Sequence, residues 1–272
     1  MKYKLIACDL DGTLLNSKGH VSEENRKAIA ELAKRGVLFV PTTGRAYYET
    51  PEDVRDLLDV RYFVSSNGAV VQDLKTGERI EFLLPGEKVV KIYDLMKKCN
   101  LLLANHKKDC NLVDKSRLDD HTMKEYNIPP YFHNQMLTNC KHIDNLDDEF
   151  LHGEPCEMLS ACAKSKDQKR EFFEQIKDVN GIHCTGSLNG IIEIVSSSAG
   201  KRNAIKALID KLGITVDEII AVGDSGNDLE MIKFAKTSIA MANGIDTLKS
   251  IASHVGCSNN EHIAKYILDN FI

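Results

Sequence analysis

No stretch of this chain approaches the ~20 consecutive apolar residues that a membrane-spanning helix needs, so no membrane partner is expected. Too few apolar residues precede Cys8-Asp9 for a signal peptide. Runs of like charge are missing, and a net charge of −5 creates no field that would draw nucleic acid or an anionic membrane. The eight cysteines are scattered singly from Cys8 to Cys257 without a Cys-x-x-Cys. That pattern suits reduced thiols in a cytoplasmic protein, packed as small apolar side chains. Nucleotide-cradling loops are missing too: there is no Gly-x-x-x-x-Gly-Lys-Ser/Thr and no Gly-x-Gly-x-x-Gly. Their absence argues against an NTPase or a dinucleotide enzyme. Ser196-Ser197-Ser198 lacks the setting of a nucleophile elbow. Five of the nine histidines (His106, His121, His133, His142, His152) fall at irregular spacing, which suggests no histidine metal site. The chain has no internal repeat and no low-complexity segment.

What is present is an ordinary globular composition, with 43% hydrophobic and 28% charged residues over 272 positions. At ~150 residues per domain, that length allows one large or two modest domains. The apolar run Leu5-Ile6-Ala7-Cys8 reads as a buried strand and ends in Asp9-Leu10-Asp11-Gly12-Thr13. On an extended backbone, carboxylates one residue apart point to the same side. Their repulsion is relieved by a proton or a cation between them, and Mg²⁺ takes oxygen ligands of this kind. A merely polar turn is the competing reading of the pentapeptide.

Further along, Ser22 is placed to cap a helix with the apolar face Ala28, Ile29, Leu32 and Ala33, closed by Gly36. Val37–Val40 reads as a strand ending in Thr42-Thr43-Gly44-Arg45, and a helix is predicted over Glu52–Leu58. Tyr62-Phe63-Val64 reads as a third strand, ending in Ser65-Ser66-Asn67-Gly68. This alternation builds a parallel sheet with helices on its faces. From about residue 84 the rhythm changes to short apolar runs between helices over Lys88–Lys98 and Asp167–Lys177, which suits an inserted α+β domain. The α/β rhythm is expected to resume near Ile191–Val195. A helix from Lys201, a strand Ile219–Val222 ending in Gly223-Asp224-Ser225-Gly226-Asn227-Asp228, a helix from Leu229, a strand Ser238–Met241 and two terminal helices complete the chain.

Four polar clusters thus share the carboxyl end of a predicted parallel strand: Asp9/Asp11, Thr42/Thr43, Ser65/Ser66/Asn67 and Asp224/Asn227/Asp228. In open α/β sheets the binding crevice lies outside those ends. Acids, a hydroxyl and Lys201 at one such edge suit metal-assisted chemistry on a phosphate, with one carboxylate left as nucleophile.

Asp9-Leu10-Asp11-Gly12-Thr13, Thr43-Gly44-Arg45, Asn67-Gly68-Ala69, Lys201 and Gly223–Asp228 together resemble the ordered motifs of the haloacid dehalogenase superfamily. Their spacing is similar to that of its Cof-type phosphatases, which carry a large type C2B cap. The resemblance implies an α/β fold with a Rossmann-like core over 1–83 and 196–272 and an α+β cap over 84–195. It also implies Mg²⁺-dependent hydrolysis of a small phosphorylated metabolite, sugar phosphates being the expected class, by a monomer or small homo-oligomer. Carried over by residue, Asp9 attacks phosphorus and ligates Mg²⁺. Asp11 serves as acid and base while its backbone carbonyl binds the metal. Thr43, Gly44, Lys201 and Asn227 belong to the phosphate site, Asp224 ligates Mg²⁺, and Asp228 supports it and orients Lys201. Gly44, Arg45 and Asn67 also shape the mouth of the site.

Two departures bear on substrate rather than reaction. Arg202 stands where the family has glycine, and Asn259-Asn260-Glu261-His262-Ile263-Ala264 shortens the family's Asn-Asn-Glu-Asp-Gly-Val-Ala. His262 is read as a satisfied surface histidine ahead of a catalytic base. His106, Lys107, Lys108 and Asp109 are candidate cap contacts, against the reading of a plain surface loop. A sugar phosphomutase and a non-catalytic phospho-acceptor module remain the alternatives. Retention of Asp11 argues against the second, because an acid/base beside an acyl phosphate speeds its loss.

Overall fold

A computed structural model describes residues 2–186 and 190–272. The chain divides into two compact units: the segments up to Glu81 and from Gly200 to Ile272, and Phe82–Ala199 between them.

The first unit opens with β1 (Leu5–Cys8), α1 (Glu23–Lys34), β2 (Leu38–Pro41), the short α2 (Glu52–Arg55), β3 (Tyr62–Ser65), β4 (Val70–Asp73) and β5 (Arg79–Glu81). Ser22 caps α1 by accepting from Asn25 N at 3.2 Å, which satisfies one of the donors a helix start leaves open. The helix predicted to reach Leu58 stops at Arg55. Only Val54 and Leu57 are buried there and Leu58 is 96% exposed, so no apolar stripe sustains a further turn.

The second unit holds α3 (Gly86–Lys98), β6 (Leu102–His106), β7 (Asn111–Asp114), α4 (Asp120–Glu125), α5 (Pro130–Asn139), β8 (Cys140–Ile143), α6 (Leu146–Leu151), β9 (Met158–Cys162), α7 (Lys166–Ile176), β10 (Ile182–Gly186) and β11 (Ile191–Ser196). Its six strands run in the order β10-β11-β9-β6-β7-β8 and are antiparallel apart from the β7–β8 pair. Ile92, Met96, Phe150, Phe172 and Ile176 pack with Leu103, Leu159 and Ile194 in one apolar cluster. Met123, Tyr126 and Met136 pack with Leu102 and Val113 in another. Neighbouring residues of β6 thus enter different clusters, as the period of two requires. The expectation that the α/β rhythm resumes at Ile191 is corrected: β11 is an antiparallel strand of this sheet.

The rhythm resumes at α8 (Lys201–Leu212), followed by β12 (Ile219–Gly223), α9 (Leu229–Phe234), β13 (Thr237–Ala240), α10 (Asp246–Ile251), β14 (His254–Val255) and α11 (Ile263–Phe271). The first unit's main sheet is wholly parallel in the order β14-β13-β12-β1-β2. Leu5 and Ala7 face α8 and α9 through Leu208 and Met231, while Ile6 and Cys8 belong to the cluster of Leu32 and Ile267. Burial on both faces is why β1 reads as an unbroken apolar run. β1 leads outward to β2, whereas β12 leads the other way to β13, so the loops after β1 and β12 diverge. That divergence leaves a crevice at the switch point.

β3 departs from expectation. It meets the parallel sheet through a Thr42–Val64 bridge but lies in an antiparallel sheet with β4 and β5. Ser66, Asn67 and Gly68 take φ values of 51°, 52° and 85°, so the chain reverses at once instead of crossing over through a helix. An added Cβ on Gly68 would lie 2.3 Å from the Gly200 carbonyl carbon and 2.7 Å from Lys201 N. The glycine therefore admits the start of α8 to this turn.

Candidate active site

β1 ends at Cys8, and the chain turns over Leu10–Leu14, closed by Leu14 N to Asp9 O at 3.2 Å and Leu15 N to Leu10 O at 2.9 Å. The turn separates the two carboxylates that an extended backbone would have placed on one side. Asp9 is buried at 4% exposure, and its Oδ1 accepts from Lys201 Nζ at 2.6 Å. Asp11 faces outward, and Arg45 grips it through two bonds of 2.8 Å, Nε to Oδ2 and Nη2 to Oδ1. Such a bidentate pair is among the stronger charge-assisted contacts. Gly12 makes the turn possible: at φ 78° an added Cβ would fall 2.4 Å from Asp224 Oδ2.

The loop after β12 supplies the facing groups. Asp228 is wholly buried: its Oδ1 accepts from Lys201 Nζ at 2.7 Å, and its Oδ2 accepts from Asp224 N at 3.0 Å and Ser225 N at 3.1 Å. Asp224 Oδ1 accepts from Thr13 Oγ1 at 3.2 Å. Carboxylate oxygens of Asp9, Asp224 and Asp228 lie within 4.8 Å of one another, the one group of three or more potential metal-ligating side chains among the described residues.

Charge balance explains the electrostatics. One buried ammonium stands among three carboxyl groups. Burial pushes the Asp9 carboxyl well above the usual carboxylate range; Lys201 opposes that rise and Asp228 adds to it. Burial also raises Asp224, with Asp228 adding to the effect. Burial works against the Lys201 charge, but Asp228 and Asp9 more than offset it and the ammonium is held protonated. The surplus negative charge calls for a proton or a cation.

The remaining candidates line the same edge. Thr43 is buried, and its Oγ1 accepts from Arg45 N at 3.1 Å. Thr42 turns back onto Val40 O at 3.1 Å. An added Cβ on Gly44 would sit 2.9 Å from Asn67 Oδ1, which accepts from Asn227 Nδ2 at 3.3 Å. Arg202 instead lies over the Phe234 ring at 5.4 Å. His262 Nδ1 is 2.8 Å from Ser22 Oγ and joins the start of α11 to the cap of α1. In the second unit, His106 is a buried strand residue whose Nε2 is 2.6 Å from Ser160 Oγ, so the surface-loop reading does not hold for it. Lys107 pairs with Glu149. All eight cysteines are free thiols, and burial lifts Cys156 to about 12 and Cys162 to about 11.

Two contacts were missed by the sequence reading: the Arg45 grip on Asp11 and the Thr13 bond to Asp224. Thr13 lies inside the quoted motif, and its place two residues beyond Asp11 was the available hint.

The first unit is thus a doubly wound α/β unit with a buried lysine and a carboxylate cluster at its switch point, where open α/β sheets bind their ligands. A family model described as haloacid dehalogenase-like hydrolase matches residues 6–267, and the chain belongs to that family. It is similar to 5-amino-6-(5-phospho-D-ribitylamino)uracil phosphatase YwtE of Bacillus subtilis, 29% identical over 99% of this chain and 98% of the relative. It is also similar to phosphatase YwpJ of Bacillus subtilis, 27% identical over 99% of this chain and 100% of that one. A solved haloacid dehalogenase-like hydrolase from B. subtilis superposes with a TM-score of 0.82 at 26% identity, covering 100% of both chains. The protein is thus a phosphatase of the haloacid dehalogenase type.

The raised Asp224 carboxyl carries a pH prediction. A carboxyl with a folded pKa above its unfolded value contributes stability below the unfolded pKa, and that contribution is lost as pH rises through the folded one. With metal chelated, wild type is expected to lose melting temperature relative to Asp224→Asn as pH rises above the ordinary carboxylate range. Saturating Mg²⁺ is expected to close the gap. Differential scanning fluorimetry reads both, and a gap independent of pH would contradict the assignment.

Proposed function

We propose that the protein is a Mg²⁺-dependent phosphomonoesterase that hydrolyses small phosphorylated metabolites, sugar or sugar-alcohol phosphates above all, through a phosphoryl group carried on Asp9. The observation that bears most weight is the grouping of Asp9, Asp224 and Asp228 around one buried lysine. Three clustered carboxyls with a single ammonium suit a divalent cation by charge and by donor type. Asp9, Asp224 and the backbone carbonyl of Asp11 would hold Mg²⁺, with Asp228 behind them. When bound, the ion neutralises phosphoryl oxygens as charge shifts.

The chain's own residues supply the rest. A carboxylate oxygen of Asp9 bonds to phosphorus as the bond to the leaving oxygen breaks, and Asp11 gives that oxygen a proton. Water then attacks the acyl phosphate, Asp11 takes its proton, and inorganic phosphate leaves with Asp9 restored. The bidentate contact with Arg45 occupies both Asp11 oxygens, so Asp11 exchanges that partner for the leaving group during the cycle. Thr43, the backbone at Gly44, Asn227 and Lys201 are assigned to holding the phosphoryl group. Selection of the organic part is assigned to the inserted unit, read as a cap. The ribityl phosphate named for YwtE supports a polyol-phosphate class.

A phosphate-release screen over phosphorylated metabolites with Mg²⁺ tests the reading. Release from at least one sugar or sugar-alcohol phosphate is expected, and release from none would remove it. Asp11→Asn is expected to slow turnover of such alkyl phosphates by roughly 10²–10⁴-fold, the usual range for lost acid–base catalysis. An aryl phosphate with a good leaving group needs less protonation and is expected to be slowed less. Equal loss of kcat/KM, which reports the first half-reaction alone, on both would contradict the acid role.

A further inference from the structure

The Asp9–Ser17 segment leaves its strand and pairs afterwards only through its own turn, one isolated Leu15–Val21 bridge and the Asn16 N to His20 O bond, so the backbone groups left over need partners from elsewhere. Four asparagines from three other segments provide them. Asn243 Nδ2 donates to Gly12 O at 2.8 Å, Asn25 Nδ2 to Leu14 O at 3.4 Å and Asn259 Nδ2 to Leu15 O at 2.9 Å, while Asn260 Oδ1 accepts from Ser17 N at 3.1 Å. The brace is itself tied together. Asn259 N donates to Asn243 Oδ1 at 2.9 Å, and Ala264 N donates to Asn25 Oδ1 at 2.9 Å. Asn259 and Asn260 belong to the stretch that shortens a family motif, so that stretch has a structural employment here.

Asn243 differs from the other three because its loop also grips Asp224. Ile245 N donates to Asp224 O at 2.9 Å, and an added Cβ on Gly244 would lie 2.9 Å from the same oxygen. One short loop after β13 therefore holds the backbone on both sides of the carboxylate cluster.

We propose that Asn243, held by Asn259, is a positioning residue that keeps the Asp9–Leu15 turn in register with the Asp224 loop and so presets the distance between the two carboxylates. This rests on the reading of Asp9 and Asp224 as partners around one cation. Asn243 is exposed, so its hydrogen bonds exchange readily for water and add little to global stability. Its effect falls on geometry at the site. Supporting residues of this kind typically change metal affinity or activity by ~10–100-fold.

The test compares wild type, Asn243→Ala and Asn243→Asp. Asp keeps the acceptor for Asn259 N and loses the donor to Gly12 O. Mg²⁺ alone is titrated against melting temperature, and kcat and KM are measured at saturating Mg²⁺. For Asn243→Ala, half-maximal stabilisation is expected at ~10–100-fold more Mg²⁺. kcat is expected to fall for both variants, with KM and metal-free melting temperature close to wild type. A lower metal-free melting temperature with unchanged kcat and Mg²⁺ response would make the brace merely structural and overturn the inference. Both variants matching wild type would overturn it too, leaving the cation reading intact. A wild type that Mg²⁺ does not stabilise would overturn the cation reading itself.

Discussion

Asp9→Asn is expected to abolish phosphate release, by at least about three orders of magnitude, while the protein stays folded. The amide has the carboxylate's shape but not its nucleophilicity, so an attacking group is lost with little change in volume. Folding survives because the substitution removes a surplus negative charge from a buried cluster rather than a compensating one. Lys201 keeps Asp228 as its charged partner at 2.7 Å, and the amide oxygen still accepts from Nζ. The melting temperature without metal is therefore expected to hold or rise. Initial rates on the best substrate of the screen, with melting curves alongside, check both parts. Wild-type turnover in the variant would remove Asp9 from the chemistry.

Lys201→Met should do the opposite to stability. The ammonium has 1% side-chain exposure and bridges Asp9 and Asp228. Methionine fills similar space without charge, leaving two buried carboxylates facing each other and a third nearby. Removing one partner from a buried pair typically costs about 3–5 kcal/mol, which at ~2–4 °C per kcal/mol for a protein near this size is a fall of order 10 °C. The loss is expected to shrink as pH falls, because a carboxyl can then take a proton instead, and to be partly offset by Mg²⁺. Turnover should fall as well, since the ammonium that holds Asp9, and that is proposed to hold the phosphoryl group, is gone. Lys201→Arg is not expected to rescue, because a planar guanidinium does not fit an enclosure built for a compact ammonium. A melting temperature within a degree or two of wild type would show that the cluster does not depend on this charge.

How much of this was legible beforehand differs by residue. Strands ending in a polar cluster were visible for Asp9, Thr43 and Asp224, because a buried strand is an apolar run and its last residue is marked by the change in character. The sheet then carries those ends to one edge. The fate of β3 was not visible: whether Ser66 and Asn67 adopt left-handed backbone depends on what packs against the turn, and the start of α8 lies more than a hundred residues away. β11 was misplaced for a related reason. An apolar run of β-branched residues is consistent with parallel and antiparallel strands alike. The spacing of Asp9 and Asp11 suggested a shared face, but that holds only while the backbone stays extended, and Gly12 marks where it does not. The Arg45–Asp11 pair and the asparagine brace join segments distant in sequence, with no periodicity to announce them.

The most direct measurement is to quench single-turnover reactions in acid with radiolabelled substrate, reduce the trapped acyl phosphate with borohydride and map the modified residue. The account predicts a covalent label that forms and decays at rates compatible with turnover, located at Asp9 and missing from Asp9→Asn. Steady phosphate release with no covalent label at any quench time, or a label at another residue, would contradict it.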